Sequence, residues 1–417
     1  MRIAVIGAGV SGLVAAHLLH RDGHEVTVYE AGGYAGGHTN TVRVDEQDAS
    51  LDVDTGFIVF NDRNYPNFQK LLERLHVASQ PSDMSFGVGD EDGDFEYAST
   101  SANGLFAKRA HLASPTFHRM VFDVRRFQRA ARTLLDSDAD PSLAEWLRDE
   151  RFSQAFVDKL IVPQAAAVWS ADPDQMWTFP ARFLVQFFDN HGMLDLKERP
   201  QWRVIQGGSK RYVEALTRPF ADRIRLDTPV TSVRRDDDGV EVTARGGEAE
   251  RYDHVVLATH ADQTLAILGE DASSRERELL SAFPYAPNEA VLHHDRRLLP
   301  RRRRAWASWN YHLLEAPTGK PTVTYHMNRL QSLPARRQWC VTLNRTEAID
   351  PDAIVRTIQY AHPVFTTAGM AAQARVAEIS GGRGRTHFAG AYWGWGFHED
   401  GVVSGLRVAR ELGVPAP

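Results

Sequence analysis

The chain has 417 residues, of which 43% are hydrophobic and 24% charged, the balance of a soluble globular protein long enough for two or three folding units. A net charge of −6 creates no positive field to gather phosphates, which sets nucleic-acid binding aside. Its one cysteine, Cys340, forms no intramolecular disulfide, which fits a reducing cytoplasm, and no apolar run reaches the ~18 residues needed to cross a bilayer. Only four apolar residues separate Arg2 from Gly7, too few for a secretory core, so no leader segment is expected.

Arg2 to Ile6 is a β-branched run that predicts a buried strand. Gly7-Ala8-Gly9-Val10-Ser11-Gly12 follows, then an apolar helical stretch from Leu13 to Leu19, a stop at Gly23, and a second strand from Glu25 to Tyr29. In this order the glycines have separate tasks. Gly7 makes the tight turn, Gly9 lets the backbone approach a diphosphate, and Gly12 lets helix and strand pack closely. The helix N-terminus then offers free amides and a partial positive charge to phosphate. Glu30 stands 18 residues after Gly12, where a carboxylate binds ribose hydroxyls and argues against a 2′-phosphate. Ala31 and the glycines from Gly32 to Gly37 make a loop suited to an extended dinucleotide, where an NAD domain would run into another helix. FAD is therefore favoured over NAD.

Further along, Asn64 to Leu75 predicts a helix with Phe68, Leu71, Leu72 and Leu75 on one face. Ser142 and Glu145 predict a capping box, within a largely helical stretch from Phe117 to Asn190. Arg203 to Ile205 reads as a strand and Ser209 to Leu216 as a helix. Ile224 to Val233, Gly239 to Ala244 and Tyr252 to Thr259 read as strands, with Asp236 to Gly239 as a hairpin turn. A mixed region runs from Asp262 to Ile379, and His387 to Leu412 reads as strand, aromatic glycine-rich loop and helix. The predicted fold class is α/β, a Rossmann-type FAD-binding domain built from discontinuous segments plus an α+β substrate domain. Residues 1–80, 200–262 and 380–417 are assigned to the first, and 81–199 and 263–379 to the second.

These motifs resemble the flavin-containing amine oxidase superfamily, which includes monoamine oxidases, protoporphyrinogen oxidases and carotenoid desaturases. Gly7 to Gly12, Glu30 and Gly32 to Gly37 match its N-terminal motif, and Asp54-Thr55-Gly56 looks like its flavin-proximal loop. Phe388-Ala389-Gly390 and Glu399-Asp400-Gly401-Val402 look like its C-terminal flavin element. The stretches from Phe57 to Asn61, Ser308 to Tyr311 and Met327 to Gln331 look like a bacterial subgroup of oxidoreductases often encoded beside cyclopropane-fatty-acid synthases. The resemblance implies non-covalent FAD, since Cys340 does not match the anchoring cysteine of monoamine oxidases. It implies cofactor contacts from Gly7, Gly9, Val10, Ser11, Gly12, Glu30, Ala31, Gly36, Gly37, His38, Thr55, Gly56, Val230, Ala258, Gly390, Glu399, Gly401 and Val402. A helix beginning near Gly401 would aim its amides at the flavin. His38 stands where the family often has Arg or Lys, and Asn288 to His293 lacks the lysine of its amine oxidases, which argues against amine oxidation.

Tyr392, Trp395 and Phe397 are candidates for a substrate cage, with Phe397 at a family cage position and Trp309 on an opposite wall. Trp306, Tyr311 and Tyr325 could join that wall, with Asn310 and Asn328 as polar handles; the plainer reading of all these rings is core packing. No histidine, cysteine or carboxylate cluster has metal-ligand spacing. Six arginines, Arg296, Arg297 and Arg301 to Arg304, read either as a solvated loop neutralised by acidic neighbours or as a contact for anionic lipid headgroups. The expected function is FAD-dependent hydride transfer from a carbon centre, on a small molecule or an acyl lipid, in the cytoplasm or at the inner face of the membrane. A redox-neutral double-bond isomerase and a non-catalytic lipid carrier are the alternatives. Sequence leaves the catalytic base, the electron acceptor and the oligomeric state open.

Overall fold

The computed structural model describes residues 1–415 apart from 47–48, 170–171, 196–198 and 382. Its first sheet is parallel throughout and draws on the two ends and the middle of the chain. Strands β1 (Arg2–Ile6), β2 (Glu25–Tyr29), β3 (Ile224–Arg225), β4 (His254–Leu257) and β5 (Thr386–Phe388) lie in the order β3-β2-β1-β4-β5. β1, β2 and β4 are almost wholly buried, as expected of strands covered on both faces. Helix α1 (Val10–Arg21) returns over the sheet, and α4 (His398–Glu411) lies against it.

The α1–α4 contact is close because two glycines of α4 face it. A Cβ on Gly405 would sit 2.7 Å from the Ser11 carbonyl oxygen, and one on Gly401 would sit 2.5 Å from Val10 Cγ1. Backbone therefore packs on backbone, and α4 is locked over the start of α1.

A second sheet of seven strands forms the other half, with the strand Ile354–Pro363 at one edge beside Tyr285–His293. It is antiparallel except where Trp309–Leu313 pairs parallel with Phe86–Asp90. Helices from the 115–190 stretch cover it, among them α3 (Ala181–Asn190), and α2 (Pro66–Arg74) packs against α4. The Ser142–Glu145 capping box is formed in both directions.

Two expectations need correction. Ile224 to Val233 is not one strand: it splits into β3 and Val230–Arg235, which belong to different sheets. Asp227 takes a left-handed φ of 51°, and its amide donates to the Gly32 carbonyl, so the chain turns toward the glycine loop. The C-terminal helix starts at His398 rather than near Gly401, because Asp400 accepts from the Phe397 amide at 2.9 Å and caps the end three residues earlier. The Gly401 amide is consequently spent on the Phe397 carbonyl.

Candidate active site

The carboxyl ends of β1, β2, β4 and β5 open on one crevice, the place where ligands bind in open parallel sheets. Gly7 closes the first turn at φ 103°, with its Cβ position 2.6 Å from the Ala258 carbonyl oxygen. Gly12 is more constrained: a Cβ there would lie 2.1 Å from the Gly7 carbonyl oxygen. Gly9 differs from both, because nothing lies within 4 Å of its Cβ position and its φ of −75° suits any residue. Packing does not demand glycine at that point; open space beside a helix N-terminus is what a diphosphate would fill. Val10 and Ser11 form the first turn of α1, buried under α4.

The second glycine loop lies directly against the first. Gly36 donates its amide to the Ala8 carbonyl at 2.8 Å, and the Cβ position of Gly37 is 3.2 Å from Gly9 Cα. Glu30 organises this junction. Its carboxylate accepts from the Ala8 amide and from the Gly32 amide, each at 2.8 Å. Ala31 follows it on the exposed rim, and Thr228 donates its amide to the Glu30 carbonyl, which brings Val230 close to the same end.

Thr55 and Gly56 join the crevice to the second sheet. Thr55 Oγ1 lies 3.1 Å from the Tyr360 hydroxyl, and a Cβ on Gly56 would be 2.2 Å from the His38 carbonyl oxygen. Asp54 is buried behind them, accepting from Thr41 Oγ1, from Ser209 and from Gln331, and burial raises it to about 6. It ties the two halves together rather than facing the crevice. Gly390 donates its amide to Ser404 Oγ, which fixes the loop after β5 on α4, where Val402 is buried.

Glu399 does not turn toward the crevice. Its carboxylate accepts from the Asn67 amide, Asn67 Nδ2 and the Phe68 amide at 3.0, 2.6 and 2.9 Å, capping α2. Only its backbone remains for a cofactor. The reason is the early start of α4, which places Glu399 in the first turn on the side facing α2.

Two histidines that the sequence reading passed over, His260 and His362, gather around His38 in the crevice. His38 stacks on Tyr360 with ring centroids 4.8 Å apart, and lies 5.2 Å from His362 and 6.4 Å from His260. Its Nε2 is sealed from solvent and has no partner, an arrangement that costs about 1–3 kcal/mol unless something else supplies one. Burial holds His38 well below its ordinary value, and the imidazoles of His362, His260 and His398 push the same way. His362 is brought to about 4 by burial and then by His260, while burial lowers His260 against the pull of Asp262. Tyr360 and His362 were legible as an i, i+2 pair sharing one strand face. What hid them was the strand itself, lost in a stretch with no clear period.

The proposed cage divides. Trp395 stacks on Phe183 at 4.3 Å and Phe397 on Phe187 at 5.3 Å, so these two rings meet α3 and form an aromatic wall. His191 closes it, stacked 3.9 Å from Phe187 with Nδ1 against the Phe187 carbonyl, and burial brings it to about 4. Tyr392 is not part of this wall. The turn Ala391–Trp393 folds it inward over Gly390, where it packs 5.0 Å from Phe283. Trp309 is also elsewhere: its ring meets Tyr325 edge-on at 4.9 Å within the sheet. Asn310 and Asn328 are no handles either. Asn310 bonds the backbone of Ala307 and Thr324, and Asn328 that of Arg337 and Trp339.

The arginine run is largely exposed but partly tied to the fold. Arg297 pairs with Asp295 at 2.7 Å, Arg302 with the buried Glu96 at 2.9 Å, and Arg301 and Arg304 bond the carbonyls of Glu91 and Ala107. Asp295, Glu96 and, at 3.8 Å from Arg301, Asp92 offset part of the charge of the run, while Arg296, Arg303 and Arg304 stay exposed. Among the described residues no group of histidine, cysteine and carboxylate side chains could hold a metal ion, and no helix is long and apolar enough to cross a membrane. Cys340 is buried in its strand, its thiol pushed up by burial.

A parallel sheet with a glycine-built phosphate turn, an acid at the end of its second strand and a C-terminal helix closing over the first define a dinucleotide-binding fold. The model of the flavin-containing amine oxidoreductase family matches residues 10–303, and the chain belongs to that family; its cofactor is FAD, held non-covalently. A putative flavin-containing monoamine oxidase of Mycobacterium tuberculosis is 26% identical over 256 residues, covering 60% of this chain and 54% of that protein. The chain thus spans about half the length of the curated relatives it matches. Among solved structures, a cyclohexylamine oxidase from Brevibacterium oxydans superposes with a TM-score of 0.68 at 18% identity over 99% of both chains. A fatty acid isomerase from P. acnes that produces CLA gives 0.66 at 17% identity over 98% of both. These likenesses show the fold. The open space at Gly9 and the orphaned His38 nitrogen are the features of this chain that fit the cofactor.

Proposed function

We propose that the chain is an FAD-dependent oxidoreductase that removes a hydride from a carbon centre of an apolar substrate, with a long-chain acyl lipid as the substrate class. Residues 1–80, 200–262 and 380–417 hold the cofactor, and 81–199 and 263–379 hold the substrate. Gly7, Gly9, Val10, Ser11 and Gly12 bind the diphosphate, and Glu30, Ala31, Val230 and Ala258 the adenosine end. Gly36, Gly37, His38, Thr55, Gly56, Gly390, Gly401 and Val402 serve the remainder. Bound FAD supplies the hydride acceptor.

The observation that carries this reading is the aromatic wall. Trp395 and Phe397 leave the cofactor sheet to meet Phe183, Phe187 and His191 of the helical layer. Such a wall excludes water and holds an alkyl chain at about 0.8 kcal/mol per buried CH₂. His191 is its titratable group: the Phe187 carbonyl can only accept, so Nδ1 carries the proton and Nε2 is left as an acceptor.

Anaerobic mixing with long-chain unsaturated fatty acids, acyl phospholipids and benzylamine, while following flavin absorbance, tests the assignment. Bleaching by an acyl compound and not by the amine is expected. Conversion of a double bond without net bleaching would make the chain an isomerase, and rapid reduction by benzylamine would return it to amine oxidation.

A further inference from the structure

His38, His260 and His362 come from three separate parts of the chain, the second glycine loop, the turn after β4 and the end of an edge strand. They meet within 5.2 and 6.4 Å of His38, above Tyr360. One nitrogen of this cluster, His38 Nε2, has no partner and no solvent.

The hydrogen-bond network also fixes the tautomer of His362. Asn344 Nδ2 donates to the Pro321 carbonyl, which can only accept, and to Asn288 Oδ1 at 2.8 Å. Asn288 therefore presents its Nδ2 to His362 Nδ1 at 3.0 Å. His362 Nδ1 is an acceptor, and the proton of the neutral ring is on Nε2.

Among the described residues, the charged and titratable groups facing the cluster come from several elements. The turn after β4 brings His260 with Asp262, and Tyr285 stacks on His260 at 4.3 Å. The edge strand brings Tyr360 and His362, with Asp54 acting through Tyr360. α4 brings His398, and the glycine loop brings Tyr34, on which Glu30 and Arg356 act. Among the described residues the charges that act on His38 itself are those of imidazoles.

We propose that this trio is an anion receptor that works by taking up a proton. As FAD enters, an imidazole of the trio, His38 first, is protonated from solvent, and the diphosphate dianion is balanced by a charge that the free protein lacks. The proposal rests on the FAD-binding reading of the crevice. His38 is the first side chain beyond the glycine pair that abuts Gly9, so the charge arises beside the phosphate turn. A neighbouring anion raises an imidazole by about 1–3 pKa units, which moves a buried neutral ring toward the physiological range. One N–H bond forms as a hydronium ion or buffer acid in the solvent gives up its proton, and no electrons are transferred.

Calorimetric titration of FAD into the FAD-stripped chain, in buffers of different ionisation enthalpy between pH 6 and 9, counts the protons. The expected result is uptake approaching one proton per FAD, with Kd rising up to about tenfold per pH unit where the ring titrates. His38→Gln should bind FAD more weakly and lose the uptake, and His38→Lys should bind tightly with a flat pH profile. FAD binding by the wild-type chain without proton uptake would overturn the proposal without any variant. So would full uptake retained in His38→Gln, His260→Gln and His362→Gln alike. Failure of the wild-type chain to bind FAD at any pH would remove the cofactor reading itself.

Discussion

His398 and His38 are neighbours beside the same crevice, since His398 bonds Thr39, the residue next to His38, and burial lowers both rings. His398 stacks on Phe57 at 3.5 Å, and its Nε2 meets the Tyr212 hydroxyl at 2.7 Å and Thr39 Oγ1 at 3.1 Å. His38 stacks more loosely, 4.8 Å from Tyr360, and keeps an unpartnered nitrogen. One ring is finished by the fold and the other is left for a ligand. Burial alone does not separate these two rings; the hydrogen bonds at Nε2 do.

The sharpest way to break this comparison uses two glycines of the same turn. Gly12→Ala should cost about 3 kcal/mol or more, because its Cβ would meet backbone at 2.1 Å, and the chain should lose both fold and FAD. Gly9→Ala should leave the melting temperature unchanged and lower FAD affinity at least tenfold. Equal losses of stability in the two variants would mean that the space at Gly9 serves the fold.

Acid should act on the two rings in opposite senses. Burial lowers His398 to about 3 in the folded chain, against an unfolded value near 6.5, so its contribution is complete above pH 6.5 and is lost as pH falls toward 3. Between pH 7 and 5 that amounts to about 2 kcal/mol for this ring. Asp54 and Asp400, both raised to about 6 by burial, oppose it, since their penalty is relieved as pH falls through 6. Denaturant titrations of the FAD-free chain should show wild type losing stability toward pH 5 and His398→Gln losing less. His191 and His362, brought to about 4 by burial, and His312, brought to about 3, act in the same sense as His398 and together outweigh the two carboxylates. FAD affinity, governed by the other ring, should rise over the same range.

Glu399→Ala should cost about 1–3 kcal/mol, since it removes three hydrogen bonds to the start of α2, and FAD affinity measured on the folded fraction should stay within threefold. A large loss of FAD with unchanged stability would return Glu399 to the cofactor site. The smallest effect is expected at the arginine run. Arg303→Ser should change stability by less than about 0.5 kcal/mol, whereas Arg302→Ser should cost more by stranding Glu96, which is 1% exposed.

The phosphate turn was legible because its requirements are local. The strand, turn, helix, strand and acid lie within thirty residues, and each glycine answers to a neighbour close in sequence or to the adjoining strand. The split at Asp227 was not legible, since Ile224 to Val233 keeps a strand-like composition and the break is fixed by a bond to Gly32, far away in the chain. The aromatic residues show the same limit. Tyr392, Trp395 and Phe397 are alike in composition and near in sequence, yet one turn sends the first into the cofactor-side core and the other two against α3.

By itself the sequence determined the family, the FAD fingerprint and the class of fold, because those depend on short-range order of glycines, apolar runs and one acid. Tertiary structure alone decided which polar groups are spent and which are left over. Glu399 and Arg302 read as candidates and became struts, while His38, His260 and His362 met only when the edge of one sheet came to rest on the carboxyl end of the other. The physical reason is that satisfaction of a buried polar group is a property of the neighbours that folding brings to it, and those neighbours here lie hundreds of residues apart.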